Sequence, residues 1–375
     1  MKKVGIYVHF PFCVSKCKYC NFNSYSGKDN LQLDYFRSLI KEISMRTTND
    51  IEIDTIFIGG GTPSVMFDGA ISTLISELKK KFNVMKNAEI TIEANPNSVT
   101  LSKAREWKES GINRVSVGLQ TTSSSSLKFI GRAHTRNDYV EAIETLQSVG
   151  ITNINTDCLI GLPRQKLSNV KHTLNLINKL ECTHISVYSL ILEEDTPLYQ
   201  MVKKGEVKLP KEEKTLNMYN YAYNYLKSKG YVRYEVSNFA REGYECSHNL
   251  HTWQMQEYIG LGAGAHGYLD GVRYNNVSTI EEYISILSKN TLPIENKEKI
   301  SKLEIFEETI MLGLRTKYGL DLKLIKEKFN KDLIKEKNQE INNLLENKLI
   351  TIENDCLIAT DLGFTVLNKI ILDLI

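Results

Sequence analysis

From Val4 to about Glu235, strand-like runs alternate with helix-like ones, and this alternation limits the possible folds more than any other feature of the chain. The strand candidates are Val4–His9, Asp54–Ile58, Ala88–Ala94, Arg114–Gly118, Ile151–Cys158 and Thr183–Leu190. Between them lie amphipathic runs such as Leu33–Met45, Gly69–Lys81 and Asn137–Val149; the last sets Val140, Ile143, Leu146 and Val149 on a helical repeat. Alternating strand and helix implies a parallel sheet with right-handed crossovers. Six such units predict an α/β fold built as an open, partial TIM-like barrel, (β/α)6. In barrels of this kind chemistry gathers at the C-terminal ends of the strands, so the residues just past each strand are the informative ones.

The first strand runs into Cys13-Val14-Ser15-Lys16-Cys17-Lys18-Tyr19-Cys20, a C-x3-C-x2-C pattern. One short loop of that spacing can fold around a single inorganic core and point three thiolates at it. Thiolates are the ligands that hold iron–sulfur clusters, and a [4Fe-4S] cubane held by only three leaves one iron for a small-molecule chelator. S-adenosylmethionine (SAM) is the molecule we expect there. The alternative is a structural zinc with His9 as fourth ligand. Zinc sites usually pair their ligands as two separated clips, and this chain has no second clip.

The later strand ends are polar or rich in glycine. The second is followed by Gly59-Gly60-Gly61-Thr62-Pro63, whose glycines let backbone groups approach a ligand closely. Glu93 and Ala94-Asn95-Pro96 close the third, Gly118-Leu119-Gln120 the fourth, and Asp157 then Gly161-Leu162-Pro163 the fifth. Singly, each reads as a turn. Their recurrence in register with the cysteine loop favours one shared site.

Composition narrows the function classes. The 375 residues suffice for one large barrel plus a smaller domain. A formal net charge of +2 makes no case for a nucleic-acid or membrane partner. Seven cysteines without paired disulfide spacing fit a reducing cytoplasm. Met1-Lys2-Lys3 before an apolar run imitates a lipoprotein signal, but His9 and Pro11 would fall in the apolar region and bulky Phe12 at the cleavage position. No stretch reaches the length of a membrane span.

The segments YVHFPFC, CKYC, IGGGTPS, ITIEANP, SVGLQT, GRAHT, NTDCLIGLP and ISVYSL, spread over nearly the whole chain, resemble a branch of the radical SAM superfamily. That branch contains the oxygen-independent coproporphyrinogen III dehydrogenases and the HemW-type heme chaperones. The resemblance implies roles by position. Cys13, Cys17 and Cys20 would ligate the cluster; Tyr7, Tyr19, Gly60 and Glu93 match positions that hold SAM on it. Gly61, Thr62, Gln120, Arg132 and Asp157 match positions lining a second SAM site in the dehydrogenase. Carboxylates accept from ammonium or ribose hydroxyls, and Arg132 can grip a carboxylate bidentately. Structural hydrogen bonds for the acids and a surface ion pair for Arg132 are the alternatives.

Within that branch the chain leans to the chaperones. The dehydrogenase carries a further cysteine two positions after the cluster loop, where this chain has Phe22, and an N-terminal arm that this sequence lacks. Cys246-Ser247-His248-Asn249-Leu250-His251-Thr252-Trp253 resembles the heme-associated H-N-x-x-Y-W motif, with Thr252 in place of its Tyr. The resemblance implies His248 as a heme ligand; a hydrogen-bonded loop histidine beside a core Trp is the alternative. The expected partners are heme, a heme-acceptor protein and an electron donor such as a flavodoxin or ferredoxin. The expected function is heme transfer, with oxidative decarboxylation of coproporphyrinogen III as the alternative.

We expect the radical SAM barrel over 1–235, a connecting segment over 236–300, and a winged-helix-like domain over 301–375. In the last, Lys302–Leu314, Leu322–Phe329 and Lys335–Asn347 read as helices, and Leu349–Ile352 and Cys356–Ala359 as a hairpin about Asn354-Asp355. It shows no basic stripe, so we expect a docking or lid role rather than DNA binding. Gly262–Gly267 formally matches G-x-G-x-x-G but lacks the strand and helix that a nucleotide fingerprint needs; tight backbone packing near the barrel mouth is expected. Ser123–Ser126 is expected to cap the helix reaching Phe129.

Overall fold

The computed structural model describes residues 1–46 and 50–375. Six parallel strands, β1 (Lys2–Phe10), β2 (Ile51–Gly60), β3 (Val84–Ala94), β4 (Arg114–Gln120), β5 (Asn153–Ile160) and β6 (His184–Ser189), lie side by side in chain order. The crossover helices α1 (Gln32–Met45), α2 (Ala70–Lys81), α3 (Leu101–Ser110), α4 (Ser124–Ile130), α5 (Arg136–Ser148) and α6 (Leu167–Lys179) connect them. Strands β1 to β3 run one to four residues longer at one or both ends than local pattern indicates, and β4 and β5 two residues longer at their C-terminal ends, because hydrogen-bonded neighbours hold their less apolar ends extended; β5 starts two residues later than expected and β6 is one residue shorter at each end. Thr100, Ser123 and Thr135 cap α3, α4 and α5 through their hydroxyls.

Period-2 alternation divides each strand between two environments. On β4, Val115, Val117 and Leu119 are fully buried against the helices, while Arg114, Ser116, Gly118 and Gln120 face a cavity inside the barrel. On β5 the same division sets Ile154 and Cys158 outward and Asn155 and Asp157 inward. The outer faces form one continuous apolar core; the lumen is polar.

The barrel is open, because β1 and β6 do not pair. Beyond α7 (Pro197–Lys203) and α8 (Glu212–Ser228), β7 (Val232–Arg233) and β8 (Asn238–Ala240) extend the β6 edge antiparallel. After α9 (Ser247–Trp253), β9 (Tyr258–Leu261) pairs parallel with β1, and β10 (His266–Leu269), β11 (Val272–Asn276) and β12 (Ile294–Lys299) continue that edge antiparallel. The segment 236–300, read as a connection, therefore supplies five strands to a 12-stranded sheet. The helix between β11 and β12 is α10 (Ile280–Ser288).

A second, smaller core forms from Phe306 onward. It contains α11 (Lys302–Gly313), β13 (Leu320–Asp321), α12 (Leu322–Phe329), α13 (Leu333–Glu336), α14 (Asn338–Glu346), β14 (Ile350–Glu353), β15 (Cys356–Ala359) and α15 (Leu367–Leu374). Five helices and a sheet in the order β13-β15-β14 make the winged-helix-like arrangement, where sequence reading expected three helices and a hairpin. Asn354 and Asp355 both take positive φ, as a two-residue hairpin turn requires. The run read as one helix over Lys335–Asn347 is broken at Lys337 into α13 and α14. No helix among the described residues is long and apolar enough to cross a membrane.

Candidate functional site

The C-terminal ends of the strands enclose a cavity of about 480 Å³ lined by Cys13, Cys17, Cys20, Tyr19, Gly60, Gly61, Thr62, Glu93, Gln120, Arg132 and Asp157. Eleven of the residues picked out from sequence thus meet in one place. Two others lie apart. Tyr7 sits deeper on β1, its hydroxyl 2.9 Å from Nδ1 of His9. His248 lies beneath the cavity, buried, its ring stacked on Phe57 at 5.3 Å and its Nδ1 bonded to Thr55 at 3.0 Å.

The cysteine loop is pinned by its backbone. The N–H of Cys13 donates to the carbonyl of Tyr25 at 2.9 Å, and that of Tyr25 to Pro11 at 2.7 Å. The glycine turn docks under it: Gly61 N–H donates to Phe10 and Thr62 N–H to Phe12, each at 2.8 Å. A Cβ on Gly61 would stand 2.6 Å from the Phe12 carbonyl oxygen, so only glycine permits this approach. Thr62 Oγ1 lies 3.5 Å from Cys13 Sγ and accepts from Asn95 Nδ2 at 3.1 Å.

Burial pushes the Cys13 and Cys17 thiols up, opposed by the nearby Arg132 guanidinium. Among the described residues no three His, Cys, Asp or Glu side chains converge on one point tightly enough for a single metal ion. Three sulfurs spread around a cavity suit a multinuclear core instead. His9 cannot complete a zinc site here, since its Nε2 also bonds the Asn23 carbonyl at 2.8 Å. The donor set fits an iron–sulfur cluster.

Electrostatics shape the remaining wall. Glu93 accepts from Gly60 N–H at 3.1 Å, and burial, reinforced by Asp157, pushes its carboxyl up to about 7. Burial also raises Asp157, which accepts from Asn155 Nδ2 at 2.8 Å. Arg132 donates through Nη1 to Asn95, approaches the Tyr19 hydroxyl at 3.5 Å, and leaves its Nε buried without a partner among the described residues. Burial pushes the Tyr19 phenol up to about 12. Gln120 holds φ at +67° just past the register shift in the β4–β5 ladder, a conformation that favours glycine, and its side chain lines the lumen. An orphaned Nε, a glycine cradle and two buried carboxyls fit a ligand with ammonium, hydroxyl and carboxylate groups, as SAM has.

Sequence reading passed over Arg114, Phe57, Asn155 and Ser186, which line the same cavity, as does Asn95 from the third strand end. A signal was there: in Arg114-Val115-Ser116-Val117-Gly118-Leu119-Gln120 every second residue is non-aliphatic, the mark of a strand with a polar inner face.

A cysteine tripod at the mouth of a partial (β/α)6 barrel defines a radical SAM protein. The radical SAM superfamily model matches residues 7–177, and the HemN C-terminal domain model matches residues 300–366. The chain is 36% identical over 373 residues to the heme chaperone HemW of Lactococcus lactis, covering 98% of this chain and 96% of the relative. It is 36% identical over 330 residues to HemW of Bacillus subtilis, covering 87% of each. The chain belongs to the HemW family of the radical SAM superfamily. Its fold matches the solved coproporphyrinogen III oxidase (HemN) of Escherichia coli with a TM-score of 0.85 at 19% identity, covering 100% of this chain and 90% of that one.

Proposed function

We propose that the protein is a heme chaperone that carries a [4Fe-4S] cluster and SAM and delivers heme to an acceptor protein. The observation that carries this reading is that Asn249, from the heme-associated motif on α9, lines the same cavity as Cys13, Cys17 and Cys20. The two halves of the function thus share one chamber.

In this reading the three thiolates hold the cluster and the iron without a protein ligand takes SAM. Tyr7 and Tyr19 support that site, and Gly60, Gly61 and Thr62 give SAM a close backbone approach. Glu93 accepts from its ammonium or ribose, while Gln120, Arg132 and Asp157 line the deeper wall. When bound and reduced, a cluster of this class supplies one electron to the SAM sulfonium. Val14 and Phe22, 66% and 65% exposed beside the loop, leave it within reach of a donor such as a flavodoxin or ferredoxin. The unpaired state of all seven cysteines suits the cytoplasm. His248 is the proposed axial ligand; in its slot burial holds the ring neutral, lowered to about 3, with Nδ1 on Thr55 at 3.0 Å, and ligation requires the ring to leave that slot.

The test is anaerobic reconstitution followed by heme titration with and without SAM. A saturable Soret shift, weakened in His248→Ala, is the expected result. No shift in the wild type removes the heme reading. Conversion of coproporphyrinogen III to protoporphyrinogen by the reduced protein would favour the dehydrogenase reading, which the shared fold supports.

A further inference from the structure

The floor of the cavity holds a guanidinium that makes no hydrogen bond or ion pair among the described residues, although Cys246, Glu89, Tyr234 and Asp157 lie near it. Arg114 opens β4, is 2% exposed and lines the chamber that holds the cysteines. Its Nε has no hydrogen-bond partner among the described residues, and the carboxylates of Glu89 and Asp157 act on it through space rather than by contact. Those acids are otherwise engaged. Glu89 accepts from the N–H groups of Ser247 and His248 at 2.9 and 3.1 Å, holding the start of α9. Asp157 accepts from Asn155.

An arginine stays charged at every physiological pH and offers five donors in a planar fork. Buried charges are ordinarily paired, because an unpaired one gives up its hydration for nothing. Asn249, one turn into α9, faces the same floor and adds an amide donor. Around them Ser116, Asn155 and Ser186 bond to one another rather than to Arg114: Asn155 donates to Ser116 at 2.8 Å and Ser186 donates to Asn155 at 3.0 Å. The fork is therefore presented to the open lumen.

We propose that Arg114 and Asn249 form a carboxylate-binding subsite at the floor of the cavity, which receives the acid group of a ligand lying below the cysteine loop. Two sources carry that chemistry, a heme propionate and the carboxylate of SAM. The propionate source rests on the chaperone reading; the SAM source does not.

A charge-removal cycle on the reconstituted full-length chain tests the subsite. One arm compares heme with heme dimethyl ester, the other SAM with decarboxylated SAM, each on wild type and Arg114→Gln. In the arm that reports the true ligand, the wild type loses about ten-fold or more in affinity when the carboxylate is removed, and Arg114→Gln is nearly indifferent to it. Asn249→Asp, at a half-buried helix position, is the second variant should Arg114→Gln fold poorly; it weakens the acid form of the ligand several-fold more than the ester or decarboxylated form. Equal losses in variant and wild type in both arms would overturn the subsite. Wild type that binds no heme, yet shows coupling in the SAM arm, would sink the chaperone reading and leave the subsite standing.

Discussion

Glu93 Oε2 accepts the backbone N–H of Gly60 at 3.1 Å, which ties the end of β3 to the glycine turn after β2. The approach is close enough that a Cβ on Gly59 would stand 2.9 Å from the same oxygen. One carboxylate thus shapes the turn beneath the cysteine loop while it faces the cavity.

That position gives Glu93 a pH signature. Its carboxyl is pushed up to about 7, so acid protonates it well before an ordinary glutamate. SAM affinity should fall as pH drops from 8 to 6, because the ammonium loses its acceptor. Glu93→Gln should bind more weakly at pH 8 and show a flat profile. The apo protein should behave oppositely in stability. With the folded value above the unfolded one, the native state binds more protons between about pH 4.5 and 7, so this group favours folding less as pH rises through that window. Calorimetric melts of wild type minus Glu93→Gln from pH 5 to 8 check both the sign and the window.

The cysteine tripod predicts a sharp contrast with its neighbour. Alanine at Cys13, Cys17 or Cys20 should abolish the paramagnetic resonance of the reduced cluster and most bound iron. His9→Phe should keep its iron, because both ring nitrogens are bonded inside the protein. Removing those hydrogen bonds should lower stability by about 1–3 kcal/mol. Iron loss in His9→Phe equal to that of the cysteine variants would restore His9 as a ligand.

Gly61→Ala forces a methyl to 2.6 Å from the Phe12 carbonyl oxygen, which is backbone and cannot swing away. The cysteine loop must shift, at a cost of about 1–3 kcal/mol. Iron retained after desalting should drop several-fold, with helical content by circular dichroism unchanged.

Glu42 on α1 holds the far side of the site. Fully buried, it accepts from Arg46, from Gly262 N–H at 2.8 Å, from Asn276 at 2.9 Å and from Tyr283 at 2.6 Å. Gly262 in turn presses on the His9 carbonyl, where a Cβ would stand 2.4 Å away. Glu42→Ala takes the carboxylate from the largely covered Arg46, which keeps only Asn276 Oδ1, and leaves the Gly262 N–H and the Tyr283 hydroxyl unanswered; it should cost about 3–5 kcal/mol in denaturant unfolding. The glycine-rich stretch read as tight packing at the barrel mouth is this clamp.

Legibility followed distance along the chain. Cys13, Cys17 and Cys20 share a loop, and Gly60, Glu93, Gln120 and Asp157 each lie at or within three residues of a strand's C-terminal end, so local spacing and period-2 patterning sufficed to place them. Arg132 lies past α4, and only the motif resemblance singled it out. The helix break at Lys337 was hidden because no proline or glycine marks it.

By itself, the sequence determined the tripod, the run of six strand–helix units and the polar strand ends, because each is written in residues a few positions apart. Tertiary structure alone decided that 236–300 would extend the sheet on both sides and that α9 would close the barrel floor, 193 residues from the Thr55 that meets His248. It buried that imidazole, turned Asn249 upward and left Arg114 facing the lumen. Such outcomes depend on which distant surfaces exclude water together, and no local period records that.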